Sequence, residues 1–260
     1  MKVRDIVNVI EQLAPPAIQD EWDNSGLQVG FPCSDVSKVL VCLDVTESVV
    51  EEAAGMGCGM IVSHHPLIFK ALSQVGDSTY QQRCVVEALA KGIAIYSAHT
   101  SLDNAPGGVN HKMAELIGLK DLKWLLPKAG ADAGSGLVGT LPQPESDCEF
   151  LKRLQTVFNV ECLRHSECSG RAVRTVALCG GAGAFLMREA IRKSADCFVT
   201  GEFHYHDYFE NDGMLLAELG HYQSEASTID LICQHLSASC PGLAIVRTSL
   251  NTNPICYDAR

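Results

Sequence analysis

Two adjacent histidines, His64 and His65, close an apolar run in "IVSHHPLIFK", and His99, Asp103, His221 and Glu225 follow at longer spacing. Neutral imidazoles and carboxylates form a borderline N/O donor set that suits Zn, Mn, Fe(II), Co or Ni better than a thiolate-seeking ion. Three histidines (64, 65 and 221) and two acids (103 and 225) exceed the needs of one open catalytic ion. They suffice for two, with a carboxylate bridging and water completing each shell, and such a pair can activate water and polarise a carbonyl or phosphoryl oxygen. Glu225 lies one helical turn after His221, so both can face one ion from the start of a helix. His99 either ligates or orients a ligand or water, and it is the candidate proton carrier. His204, His206 and Asp207 either flank the same cleft or cap a turn, while His111, His165 and His235 read as solvated or hydrogen-bonded side chains.

Neighbouring side chains of a strand point to opposite faces, so His64 and His65 can share a task only where the strand ends. Pro66 supplies that ending by disfavouring helical geometry at His65. Upstream, "KVLVCLDV", "TESVVEEAAGMG" and "MIVS" read as strand, helix capped by Thr46 or Ser48, and strand. Before them, Val3, Ile6, Val7, Ile10 and Leu13 mark a helix stopped by Pro15 and Pro16. After them come a helix over about 78 to 91, the strand "IAIYS", the loop "AHTSLDNAPGG" and a helix closed at Gly118.

The second half repeats this order. An offset of 136 aligns Val39–Leu43 with Thr175–Cys179 and sends His64 to Thr200 and His65 to Gly201; an offset of 122 aligns His99 with His221 and Asp103 with Glu225. A degenerate duplication is the expectation, with every candidate ligand just past a strand end, where α/β folds form their pockets. "LPKAGADAGSGLVGTLPQPES" reads as a boundary near residue 125, with "SGLVGTL" as an edge strand. Ser146 and Glu149 suit a capping box for a helix through Phe158, and "VECLRHS" a following strand. "CGGAGAF" matches neither the P-loop nor the dinucleotide fingerprint and reads as a tightly packed turn. The fold class is α/β with mixed sheets: residues 1–125 with 226–260 form a first domain carrying His64, His65, His99 and Asp103, and 126–225 a second ending on His221 and Glu225.

Composition excludes several functions. The net charge of −11, from 31 acids and 20 bases, gives no broad attraction to nucleic acid or anionic lipid. Asp5, Asn8 and Glu11 interrupt the N-terminal apolar pattern, so it lacks a signal-peptide core, and no run approaches the roughly 18 apolar residues of a membrane span. A soluble, cytoplasmic protein without a membrane or nucleic-acid partner is expected. Its twelve cysteines include no C-x-x-C pair, and Cys42, Cys179, Cys197 and Cys233 sit in apolar stretches as small buried hydrophobes.

Taken together, "EWDNSGLQVG", "SHHPLIF", "AHTSLDNAPGGVN", "CGGAGAF", "TGEFHYHD" and "GHYQSE" resemble the NIF-three-like (YbgI/YqfO-like) proteins, often labelled GTP cyclohydrolase 1 type 2 homologues. The resemblance runs in family order from near residue 20 to 225. It implies two intertwined α/β repeats, with mixed sheets flanked by helices and a dinuclear metal centre in the cleft between them. It also implies a toroidal homohexamer. Residue by residue, the metal ligands carry over to His64, His65, Asp103, His221 and Glu225, holding two divalent cations per subunit, with His99 close by. Ser101 stands where an Asn is frequent in the family and Ser25 where a larger apolar residue is frequent. The expected activity is metal-dependent hydrolysis of a nucleotide or related small molecule through activated water. The competing expectation is a non-catalytic metal-binding, metal-delivery or assembly protein.

Overall fold

The computed structural model describes residues 1–258. Their strands are β1 Gly26–Val29, β2 Lys38–Cys42, β3 Met60–Ser63, β4 Ala94–Ser97, β5 Lys120–Pro127, β6 Gly134–Ser146, β7 Arg164–His165, β8 Ala172–Cys179, β9 Cys197–Thr200, β10 Leu215–Glu218 and β11 Ala244–Arg247. The α-helices are α1 Val3–Leu13, α2 Glu47–Gly55, α3 Tyr80–Ala90, α4 His99–Asp103, α5 Val109–Ile117, α6 Asp147–Val157, α7 Met187–Arg192, α8 His221–Glu225 and α9 Thr228–Ser239. They form two compact units: Met1–Leu102 with Thr228–Pro254, and Asp103–Ser227 with the chain from Ile255.

In the first unit the sheet order is β1-β4-β3-β2-β11, with β11, β2, β3 and β4 parallel and β1 antiparallel on β4. The central strands are almost continuously apolar because both faces are covered, as parallel strands require. On one face Leu40, Cys42, Ile61 and Ile95 pack with Val49, Val50 and Ala53 of α2 and Cys84, Val85 and Ala88 of α3. Thr46 starts α2 by accepting from Val49 N, and Thr79 starts α3 by accepting from Gln82 N. Helix α9 packs on β2 and β11, and α1 packs on α9.

The second unit's sheet runs β5-β6-β8-β9-β10-β7, with β8, β9 and β10 parallel and the outer strands antiparallel. Its parallel strands divide their side chains by alternation. Val176, Leu178, Cys197, Val199, Leu215 and Ala217 join Met113 of α5 and Phe150 of α6 on one face. Ala177, Phe198 and Leu216 join Met187 and Ala190 of α7 on the other. The expected capping box is formed: Ser146 N donates to Glu149 Oε2 at 3.2 Å and Glu149 N to Ser146 Oγ at 3.3 Å.

Several expectations need correction. The Gly-rich stretch after residue 125 does not begin a new unit: β5 runs through residue 125, and β6 lies inside the sheet rather than at its edge. Its glycines are close-packing positions, since a Cβ on Gly134 would come within 2.9 Å of the Trp124 ring and one on Gly139 within 2.7 Å of Leu122. The units part at Leu102/Asp103 instead, because Met113, Ala114 and Ile117 of α5 belong to the second core. Asp103 therefore falls in the second unit, as do residues 226 and 227 and the chain from Ile255; residues 259 and 260 lie outside the described residues. The loop "AHTSLDNAPGG" contains α4, "VECLRHS" pairs only through Arg164 and His165, and β11 has no counterpart in the sequence reading.

The duplication is visible in the hydrogen bonds, shifted by one residue from the sequence alignment. In the first unit Ala98 N donates to Ser63 O and His99 N to His64 O; in the second Leu219 N donates to Thr200 O and Gly220 N to Gly201 O. Ser63 thus matches Thr200, His64 matches Gly201, His65 matches Glu202 and His99 matches Gly220. Val, Leu and Ala runs resemble themselves after a one-residue slip, so sequence alone does not fix this register.

Candidate metal centre

In the first unit the site grows from the carboxyl ends of β2, β3 and β4. His64 N donates to Cys42 O and His65 N to Leu43 O, which carries the β2–β3 pairing past the end of β3 and holds both histidines at its tip. His99 enters α4 with a φ of 30°, in the region where its counterpart Gly220 also lies at 91°. The three rings cluster, with centroids 4.8 Å apart for His64 and His65 and 5.7 Å from each to His99. A ring nitrogen of His64 and one of His65 lie within 4.8 Å of each other.

Two carboxylates fix these rings. Asp44, just past β2, lies 2.7 Å from His65 Nδ1, and Asp23, ahead of β1, lies 2.6 Å from His99 Nδ1. A carboxylate only accepts, so each Nδ1 carries the proton and the neutral ring's lone pair sits on Nε2. Burial pushes the Asp23 carboxyl up, but the hydrogen bond from His99, the positive charge that ring carries once protonated, and the hydroxyls of Thr100 and Ser25 outweigh it and hold Asp23 well below the usual carboxylate range. Asp44 behaves alike: burial raises it, and His65 with Thr252 brings it below its ordinary value.

The second unit brings together a candidate ligand pair. His221 opens α8 and Glu225 closes it, with His221 Nε2 3.3 Å from Glu225 Oε2 and His221 Nδ1 3.0 Å from Glu202 Oε1. Glu225 is buried, and the "CGGAGAF" turn makes room for it. A Cβ on Gly181, at φ +60°, would stand 2.4 Å from Glu225 Oε1. Ser224 fastens the same turn, accepting from Gly181 N at 3.0 Å and donating to His221 O. Asp103, the last residue of α4, is held through its main chain: Asn110 Nδ2 donates to Asp103 O, while Asn110 Oδ1 accepts from Gly180 N.

Of the sequence-selected residues, His64, His65 and His99 come together in one unit and His221 and Glu225 in the other, with Asp103 anchored by the Gly180 turn. His204 and Asp207 form a capped turn, with His204 N donating to Asp207 Oδ2 at 2.8 Å. His111 lies against the Trp124 ring, while His165 and His235 bond to backbone carbonyls. Sequence reasoning missed Asp23, Asp44, Glu202 and the role of Gly181. Asp44 and Glu202 were findable, since each is an acid just past a strand end beside a strand that leads to a histidine.

The donor set fits divalent cations. Metal-ligating histidines almost always give their other ring nitrogen to a carboxylate or carbonyl, which orients the ring and raises its basicity. His65 and His221 both have that support. A bare glycine backbone that admits a buried carboxylate is a second sign of a built ligand position.

Comparison with known proteins places the chain among relatives. The family profile described as Duf34/NIF3 (NGG1p interacting factor 3) matches residues 1–254. The chain is 33% identical over 263 residues to a GTP cyclohydrolase 1 type 2 homolog of Lactococcus lactis subsp. lactis (strain IL1403), covering 99% of this chain and all of that protein. It is 32% identical to NIF3-like protein 1 of Drosophila melanogaster, over 92% of this chain and 82% of that one. Among solved structures, a Bacillus cereus protein related to NIF3 superposes with a TM-score of 0.90 at 22% identity, covering 99% of both chains.

Proposed function

The chain belongs to the Duf34/NIF3 family, and from that premise we propose that it is a metal-dependent hydrolase acting on a nucleotide or a related small molecule. His64, His65, Asp103, His221 and Glu225 hold two divalent cations, drawn from Zn, Fe, Mn, Co and Ni. The observation that carries this reading is the pairing of candidate ligands with orienting carboxylates, Asp44 on His65 and Glu202 on His221, beside a turn kept bare for Glu225. When bound, such cations supply Lewis acidity and lower the pKa of water.

The chain's own residues do the rest. Asp23 fixes His99 with its proton on Nδ1, so Nε2 is the nitrogen that accepts or returns a proton. Asp44 and Glu202 keep the rings of His65 and His221 in one orientation through turnover. The name shared by curated relatives, GTP cyclohydrolase 1 type 2 homolog, supports a nucleotide as the first substrate to assay. Self-association into a homohexamer belongs to the same proposal, and sedimentation velocity measures it.

The test is turnover of GTP and a panel of nucleotides by protein purified with its native metal. The proposal expects product formation that falls at least about a hundredfold in His99→Ala with metal content unchanged. Absence of turnover across the panel, alongside ready transfer of the metal to an apo-acceptor, contradicts it in favour of metal delivery.

A further inference from the structure

Beside the histidine cluster stands an aromatic corner that the metal proposal does not use. Trp22 and Phe69 are 60% and 45% exposed, with ring centroids 5.8 Å apart and planes tilted by 59°. Both meet the His99 ring, at 5.8 Å and 6.0 Å, close to perpendicular. Large aromatics left open to water lose the stabilisation that burial would bring, so a pair held open in a fixed setting calls for an occupant.

The setting is fixed by hydrogen bonds on every side. Asn24 Nδ2 donates to Ile68 O at 2.6 Å, Ile68 N donates to Gln28 Oε1 at 3.1 Å, and Gln28 Nε2 donates to Asn24 O at 2.5 Å. These bonds lock the segment that carries Trp22 to the segment that carries Phe69. Asp23, next to Trp22 and with its side chain fully buried, accepts from Thr100 N and bonds to His99. Ser25 Oγ lies 2.7 Å from Asp23 Oδ2 and 3.1 Å from Ala98 O, which ties the Trp22 segment to the chain just past β4. The corner is preorganised, and little conformational entropy is lost when a ring enters it.

The geometry points to a stacking platform for a flat heteroaromatic ring, a nucleobase presented as a neutral nucleoside, held by Trp22 and Phe69 beside His99. Charge favours the ring over a phosphate: Asp20, Glu21 and Asp23 lie within the Trp22 segment, which has no base, and Lys70 is the one cation adjoining Phe69 in the chain. Stacking on aromatic side chains tolerates any base because each has a π-face, and losing such a partner weakens binding by roughly tenfold. This deepens the proposed function by naming the part of the substrate that is recognised, and it rests on that reading only for the identity of the reacting centre.

The chain has two tryptophans, Trp22 and Trp124, so Trp124→Phe leaves Trp22 as the sole indole fluorophore. Guanosine and GTP are titrated into this variant, both metal-free and metal-reconstituted, with metal content measured on the same samples. Saturable quenching by guanosine in the metal-free protein is expected, with an affinity no weaker than that of GTP. By equilibrium dialysis, affinity should fall about tenfold in Trp22→Ala and in Phe69→Ala and be restored in Trp22→Phe. Absence of saturable quenching, or guanosine binding indifferent to both alanine variants, overturns the platform even if two metals are bound. Guanosine binding in protein that never retains metal sustains the platform and defeats the metal reading instead.

Discussion

The two units build one scaffold and put different chemistry on it. β2, β3 and β4 in the first and β8, β9 and β10 in the second are parallel triplets with an antiparallel strand beside the third, β1 on β4 and β7 on β10. At matching ladder positions the first carries His64 and His99 where the second carries Gly201 and Gly220. The first unit therefore carries imidazoles at both positions, His64 just past β3 and His99 where α4 opens. The second leaves both positions bare, and its His221 and Glu225 open and close α8, the helix that answers α4, against the glycine backbone of the Gly181 turn. The same scaffold thus offers the same positions in both units, and local bulk decides which of them carry a side chain.

This contrast can be broken by substitution. The largest effect is expected at the third strand of each triplet, where Ser97 of β4 matches Glu218 of β10. Glu218 is buried and accepts from Arg164, Tyr208 and Phe203 N, whereas Ser97 shares a hydroxyl pair with Ser63. Glu218→Ala should cost about 3 kcal/mol in urea unfolding and Ser97→Ala about 1 kcal/mol. Equal losses would show that the two positions are energetically alike.

Gly201 comes next. A Cβ there would meet Gly181 O at 2.5 Å and Ser224 Oγ at 2.8 Å, so Gly201→Ala should cost about 2 kcal/mol, although His64 carries a full side chain at the same position. A neutral outcome in thermal unfolding would mean that the Gly181 turn yields freely.

Asp23→Asn probes the first unit's network with a signed dependence on pH. The folded state holds this carboxyl well below its ordinary value, so its stabilising contribution is complete above about pH 4 and fades as pH falls through the folded-state value. The stability gap between wild type and Asp23→Asn, about 2 kcal/mol, should narrow as pH falls below about 4. A gap that persists undiminished in stronger acid would contradict the assignment.

The smallest effects compare the orienting carboxylates. Asp44→Asn and Glu202→Gln should each weaken metal affinity by roughly 10- to 100-fold while leaving unfolding midpoints nearly unchanged. A fall in one alone would assign the tighter ion to that half of the ligand set.

The sequence exposed the candidate ligands and the parallel strands because both are local: apolar runs end on polar side chains, and Pro66 marks the ending. It hid what depends on distant partners. Asp23 reaches His99 across 76 residues and Asp44 reaches His65 across 21, separations that no periodicity records. It misled where one residue type serves two ends, since Gly134, Gly136 and Gly139 read as a boundary with an edge strand yet allow β6 to pack inside a sheet. The one-residue slip of the repeat has the same origin, because apolar strands lack a landmark that a backbone hydrogen bond supplies.

The most direct test of the central claim is elemental analysis of the purified chain, beside His65→Ala combined with Glu225→Gln, a pair that removes one ligand from each unit. The account predicts two equivalents of a divalent transition metal per chain in the wild type and loss of at least one in the double variant, with the fold retained by circular dichroism. Full metal content in the double variant, or none in a wild type offered zinc, iron and manganese, would contradict it.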